Sequence, residues 1–185
     1  MNGSLILWMT LALSIFWSVG LYNRLMRMRA RALGALVSVE RHMRHYGELI
    51  HEFGVHHDSD AADRESFSMD TTMSGWPQLL IDVQTLDHAL KEAIVPILAA
   101  EPLERLAGAY GALQRTWLGL HDAPADLAGP MVPVRMQLRW DAITQRVESA
   151  RGGFNQISTK YNEALGQFPA RLVVGTMGFK PGGLL

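Results

Sequence analysis

The sequence contains no cysteine. That excludes disulfides, thiolate nucleophiles and cysteine-ligated zinc or iron–sulfur centres. Net charge is close to nil: 17 Lys and Arg against 18 Asp and Glu leave -1. The chain as a whole is therefore no polycation built for nucleic acid. No proline interrupts residues 1–76, and no stretch pairs period-two alternation with hairpin turn chemistry. Leu172-Val173-Val174 is the one short strand candidate. Several catalytic signatures are missing. There is no Gly-x-Ser-x-Gly elbow, no His-Glu-x-x-His and no glycine-rich phosphate loop. What the chain has in quantity is apolar surface, at 48% of residues, which excludes global disorder. Its 185 residues give room for one domain of ordinary size, with or without an anchor.

The apolar residues begin with an uncharged run, Ser4 to Leu21, of 18 residues. As a helix this run spans roughly 27 Å, enough for a thin hydrocarbon core. Lipid offers no hydrogen-bond partners, so a spanning segment must be helical. Trp8, Trp17 and Tyr22 lie where interfacial aromatics are expected. No Lys or Arg precedes the run, and Ser18-Val-Gly-Leu-Tyr22 is a poor cleavage site, so we read an uncleaved anchor. Charge is uneven along the chain. Residues 1–46 carry six arginines and one acid, net +5, which leaves -6 for the rest. Arg24, Arg27, Arg29 and Arg31 follow the span directly. The positive-inside rule then puts the body in the cytoplasm and the amino terminus outside. The same four arginines are placed to contact anionic headgroups.

Beyond Tyr22 the apolar pattern continues. Leu25, Ala32, Val39, Tyr46 and Phe53 recur every seven residues, with Leu36, Met43 and Ile50 between them. This heptad seam predicts a long helix running out of the anchor and capped near Gly54. Residues 56–75 are polar and weakly periodic and read as a loop with room for one helical turn. A second helix is expected from Pro77, with Leu79, Leu80, Val83, Leu86, Leu90 and Ala93 on its apolar side, and Pro96 at its end. A third opens at Pro102 and carries Leu103, Leu106, Tyr110, Leu113, Trp117 and Leu120. Proline and glycine between His121 and Pro133 mark a connection. The last helix carries Met136, Trp140, Ile143, Val147, Ala150, Phe154, Ile157, Tyr161, Leu165 and Phe168, and Pro169 ends it. Gly152-Gly153 within it offers a place for close helix approach. The expected fold is all-α: residues 1–3 a short segment, 4–21 a transmembrane helix, 22–169 a long-helix antiparallel bundle, and 170–185 an irregular tail.

Two places carry a recognisable signature. The first is Tyr22-Asn23-Arg24-Leu25-x-x-x-Arg29, followed by Arg44-x-Tyr46-x-Glu48-Leu49-Ile50. The second is Ala150-Arg151-x-x-Phe154-Asn155, then Tyr161-Asn162, then Phe168-Pro169, with Gly178-Phe179 after it. Together these resemble the LemA family of bacterial membrane-anchored proteins, over the first 53 residues and 143–185. The chain departs from the family at Glu48-Leu-Ile-His-Glu-Phe53, where Asp-Leu-Ile-Pro-Asn-Leu is usual, and at His45, where an arginine is usual. The family's Tyr-Pro-Asp-Leu-Lys-Ala segment is only echoed at Pro124 to Ala128. The resemblance implies a divergent member: a long-helix bundle on an amino-terminal membrane helix, in the bacterial inner membrane, with no established catalytic activity. It further marks Tyr22, Asn23, Arg151, Phe154, Asn155, Tyr161, Asn162, Phe168 and Pro169 as packing or interface positions.

Read physically, Phe154, Tyr161 and Phe168 form one stripe, with Asn155 and Asn162 about 100° round at its edge. There the asparagines can bond to neighbouring backbone or side chains. His56, His57 and Asp58, with Asp60 and Asp63, form the densest set of possible metal ligands. His42 and His45 belong on a wet or headgroup-facing surface, where the adjoining Arg41 and Arg44 disfavour protonation. His88 and His121 read as surface residues, and Glu101/Glu104 as a solvated face. The leading expectation is a non-enzymatic membrane-anchored scaffold or accessory subunit. It needs no cofactor, and its partners are the lipid bilayer and another membrane protein or a second copy of itself. Neither nucleic acid nor a small-molecule substrate is indicated. The alternatives are a metal-dependent hydrolase using the His56–Asp63 cluster and a self-assembling membrane organiser.

Overall fold

The computed structural model of the protein describes residues 2–62, 75–94, 98–123, 132–167, 170–175 and 178–185, with backbone alone at 2, 54–62, 172 and 173. All regular structure among the described residues is helical: α1 (Asn2–Ala62), α2 (Gly75–Ile94), α3 (Ala100–His121), α4 (Val134–Gly166) and the short α5 (Ala170–Val174).

At 61 residues, α1 is about 90 Å long, nearly twice the length of α4. It behaves as two segments. Its first part is bare: Leu5, Leu13 and Phe16 stand 65%, 69% and 79% exposed. No residue in its most apolar 18-residue window is buried, and the helix is long and apolar enough to cross a membrane. From Leu25 onward the heptad stripe is sealed. Leu25, Ala32, Leu36, Val39, Met43, Tyr46 and Ile50 are all essentially inaccessible. One helix thus changes surroundings between Leu21 and Leu25.

The buried stripe of α1 packs chiefly against α4. Glu52 meets Arg139, Tyr46 meets Thr144, and Leu25 shares a groove with Ala164, so partners rise along α4 as they fall along α1. A second pair, α2 with α3, is joined through Asp82–Thr116 and Glu92–Arg105 and lies against the distal half of α1, where Val83 packs over Gly47. Pro77 and Pro102 sit in the first turns of α2 and α3, where a missing N–H leaves no helical bond unmade. The expected apolar faces are largely the observed ones, except that Leu80, expected on the apolar side of α2, is exposed, one step round from buried Leu79. Leu79, Leu86, Leu90 and Ala93 of α2 are buried, as are Leu103, Leu106, Tyr110, Leu113, Trp117 and Leu120 of α3. Trp117 stacks on Trp140 at 3.9 Å with planes 5° apart, and Tyr46 closes on Trp140 at 4.5 Å.

Four expectations are corrected. Gly54 does not end α1, and the segment read as a loop from residue 56 is helical up to Ala62. A single mid-helix glycine costs about 1 kcal/mol relative to alanine, too little to stop a helix already anchored by its packed stripe. Gly152 and Gly153 face open space and mediate no close approach. The tail is not irregular throughout, because Ala170–Val174 is helical. That helix also takes in the one strand candidate, 172–174, whose apolar run lacks a strand partner among the described residues. The rest of the tail, from Phe179 on, has no regular secondary structure, as expected.

Candidate functional site

The carboxyl-terminal segment docks on α4 through two side-chain amides. Asn162 donates Nδ2–H to the Gly182 carbonyl and accepts the Gly182 N–H on Oδ1, both at 2.8 Å. Asn155 donates to the Leu185 carbonyl at 2.6 Å and accepts the Leu185 N–H at 2.8 Å. Each carboxamide thus serves as a peptide group would, pairing donor and acceptor with one residue of an extended chain. The spacing explains itself. Seven residues of helix rise about 10.5 Å, and three residues of extended chain cover about 10 Å. The heptad repeat of Asn155 and Asn162 is therefore matched to Leu185 and Gly182, three apart.

Three further features hold the segment in register. Gly178 adopts φ +72°, a left-handed conformation that favours glycine, and the Phe179 N–H returns to the Val174 carbonyl at 3.3 Å. Phe179 is buried, and its ring meets Tyr22 edge-on at 5.7 Å. The Tyr161 hydroxyl donates to the Lys180 carbonyl at 3.2 Å. On its other side the segment meets the α2–α3 connection, where the Gly183 N–H reaches the Leu98 carbonyl at 3.0 Å. Leu98 itself lies at φ 65°, a strained setting for a leucine, and its buried side chain and this bond hold it there. A Cβ on Gly183 would stand 2.8 Å from the Ala100 Cα, so only glycine fits.

Motif residues from both ends of the chain therefore converge. Phe154 and Tyr161 are buried in the seam, Asn155 and Asn162 grip the tail, and Tyr22 touches Phe179. Asn23 is exposed. Phe168, Pro169 and the echo at Pro124 to Ala128 lie outside the described residues. Arg24, Arg27 and Arg31 are exposed where α1 leaves the bundle, and they make no ion pair with a described residue. Arg29 is half-buried, and its charge bears on the Tyr161 phenol.

Arg151 belongs to a second assembly, in the middle of the bundle. It donates to Glu148 Oε1 at 2.8 Å and lies over the Tyr110 ring at 5.1 Å. Glu148 also accepts the Tyr110 hydroxyl at 3.0 Å. Tyr46 bonds Thr144 Oγ1 at 2.7 Å and accepts from Gln114 Nε2 at 2.9 Å, with its oxygen 3.5 Å from that of Tyr110. Burial pushes the phenols of Tyr46 and Tyr110 above the ordinary tyrosine range, and Glu148 adds to the rise in both. Burial does the same to Tyr161, against the opposing pull of Arg29. The hydroxyls of Tyr46 and Tyr110 keep their protons and tie α1, α3 and α4 together, while that of Tyr161 holds the tail.

His42 and His45 are half-buried against the bundle rather than on a freely wetted face, with rings 6.2 Å apart. Burial holds His42 below its ordinary value, and His45, Arg146 and Arg41 depress it further. His88 and His121 are exposed, each beside a carboxylate of its own segment, Glu92 and Asp122. Glu101 is exposed and binds Arg105 at 2.6 Å. Sequence reasoning missed buried Asp82, which accepts from Gln78 at 2.8 Å and from Thr116. Its signal was an acid on the same stripe as Leu79, Leu86 and Leu90. No group of three metal-ligating side chains occurs among the described residues, and the side chains of His56, His57, Asp58, Asp60 and Asp63 lie outside them.

Compared with protein-family models, curated proteins and solved structures, the chain has no match. The likeness to the LemA family rests on the motifs quoted above.

Proposed function

We propose that the protein is a divergent LemA-like, membrane-anchored scaffold or accessory subunit that binds another membrane protein and catalyses no reaction of its own. The observation that carries this reading is the division of α1. A bare apolar segment and a sealed core stripe share one uninterrupted helix, so the bundle is held at the bilayer without a flexible linker. On this reading α1 crosses the bacterial inner membrane once, and the antiparallel bundle stands in the cytoplasm. Arg24, Arg27, Arg29 and Arg31 support that orientation through the positive-inside rule. The exposed Leu80 and Ile81 of α2, with Leu118 of α3, give the distal half of the bundle apolar contact points.

Chemical crosslinking in native membranes, followed by mass spectrometry, tests the partner. The expected result is a reproducible membrane-protein neighbour linked to residues of α2 or α3. Recovery of this chain alone would overturn the scaffold reading. Orientation is tested separately with a carboxyl-terminal alkaline phosphatase fusion, which should be inactive.

A further inference from the structure

A groove of about 440 Å³ opens where α1 leaves the bundle. Leu13, Trp17, Gly20 and Arg24 line it from α1, with Gln167 and Ala170 on the opposite wall. The four α1 positions are spaced by four, three and four, so they share one face of the helix. None of the groove's residues from Leu13 to Leu21 is buried, since the apolar segment is bare there. The groove therefore opens sideways at its apolar end. From Leu13 to Arg24 it rises about 16 Å, close to the half-thickness of about 15 Å of a bilayer's hydrocarbon core.

The two ends of the groove differ in chemistry. Its lower part is apolar. Its upper end carries the exposed guanidinium of Arg24, which has no ion-pair partner among the described residues, and the amide of Gln167. Arg27 and Arg31 are exposed nearby, and no acid occurs in the sequence before Glu40. Gly20 leaves the middle of the groove open, since a Cβ there would meet nothing within 4 Å. An oily trough of one-leaflet length beneath an uncompensated cation fits an amphiphile with a negative head. Free phosphate would leave the trough unfilled, and a zwitterionic lipid would leave the surplus positive charge unmatched.

We propose that this groove binds one anionic phospholipid of the leaflet facing the bundle, its phosphate on Arg24 and an acyl chain along Leu13, Trp17 and Gly20. The proposal rests on the membrane-anchored reading above and adds a specific lipid to it. Bound there, the lipid would fill the wedge between the anchor and α4 and set the tilt of the bundle on the membrane.

The test uses the full chain carrying Trp8→Phe and Trp76→Phe, reconstituted in nanodiscs. The discs contain a minor fraction of either brominated-chain phosphatidylglycerol or brominated-chain phosphatidylcholine in unlabelled phosphatidylcholine. Trp117 and Trp140 are buried in the bundle, so quenching by bromine reports on Trp17. Phosphatidylglycerol should be enriched at Trp17 about five-fold over phosphatidylcholine. Arg24→Gln should remove that preference, whereas Arg27→Gln, outside the groove, should keep most of it. Gly20→Leu should lower quenching by phosphatidylglycerol by filling the site. Equal quenching by the two lipids would overturn the proposal while leaving the anchor intact. So would a preference that survives Arg24→Gln, because the attraction would then be diffuse. Quenching by neither lipid, with protein recovered outside the discs, would overturn the anchor and the lipid site together.

Discussion

Asn162 and Gly182, 20 residues apart, exchange two hydrogen bonds of 2.8 Å, so that a helix side chain pairs with an extended segment as a neighbouring strand would. Asn155 repeats the arrangement with Leu185 one heptad earlier. The tail is thereby a structural member of the bundle, laid between α4 and the α2–α3 connection.

Replacing Asn162 with alanine removes both bonds and leaves the amide and carbonyl of buried Gly182 without them. At about 1 kcal/mol net per bond, the loss should be about 2 kcal/mol. Asn155→Ala should cost a similar amount. Thermal unfolding in mild detergent measures the stability, and hydrogen exchange at the amides of Gly182 and Leu185 measures release of the tail. The double variant should melt lowest and exchange fastest. Unchanged melting with loss of a crosslinked partner would instead make the asparagines recognition residues.

Gly183→Ala should undock the same segment from its other side. The added Cβ meets the Ala100 Cα at 2.8 Å and Leu103 Cδ1 at 3.1 Å, and the first of these is backbone that cannot rotate away. Overpacking of this kind costs about 1–3 kcal/mol. Gly182→Ala is the control. Its Cβ would lie 3.4 Å from the Leu98 Cβ, at the edge of ordinary contact, and should perturb exchange at Leu185 less.

In the middle of the bundle, Tyr46→Phe should be more damaging than Tyr110→Phe. The Tyr46 hydroxyl satisfies both Thr144 and Gln114, whereas Glu148 keeps Arg151 when Tyr110 loses its hydroxyl. Leaving buried groups unsatisfied costs about 1–3 kcal/mol. Pairing Tyr46→Phe with Thr144→Val should recover part of the loss, because both ends of the bond are then gone. A double-mutant cycle from denaturant melts gives the coupling.

Much of this fold was legible because heptad periodicity reports burial directly. Every apolar residue of the predicted stripe from Leu25 to Ile50 is buried, as are Phe154 and Tyr161. The asparagines were visible as a repeat, and bonding to neighbouring backbone or side chains at the seam's edge was expected of them. Their partner was not visible, because Gly182 and Leu185 reach them only after the reversal at Gly178. The close fit of Gly183 is likewise a property of tertiary approach and leaves no local pattern. The end of α1 was misread for the opposite reason. Gly54 is a local signal, and the backbone ladder of a long helix outweighs it. Asp82 was overlooked because an acid within an apolar stripe resembles a break in the pattern until Gln78 and Thr116 are seen to satisfy it.

Alkaline pH should weaken the bundle, because its buried tyrosines hold protons that the unfolded chain releases. In an unfolded chain a phenol releases its proton near pH 10. In the folded protein burial raises the phenols of Tyr46, Tyr110 and Tyr161 above that value. Above about pH 10 the native state then holds more protons than the unfolded one, so stability falls as pH rises. Below that value the contribution is fully present. Denaturant midpoints from about pH 8 to about pH 11.5 should decline only in the upper part of the range. Tyrosinate absorbance near 295 nm should grow for these residues together with unfolding, and Tyr46→Phe should flatten the alkaline decline.

Membrane attachment should depend on the bare segment of α1 and on nothing in the bundle. Leu11 and Leu13 lie near the middle of the span and are exposed. An arginine at the centre of a spanning helix raises the cost of insertion by about 2.5–3.5 kcal/mol. Leu11→Arg with Leu13→Arg should therefore shift the protein from the carbonate-resistant membrane fraction to the soluble fraction. Both side chains are exposed and precede the sealed core, which begins at Leu25, so the released protein should keep its helical content and its cooperative melt. Arginine at Leu36, which is 1% exposed, should do the reverse. It places an unpaired charge in the core, so the bundle should unfold while the chain stays in the membrane. If the Leu11/Leu13 variant remained as resistant to carbonate as the parent, the bare segment of α1 would not be the anchor.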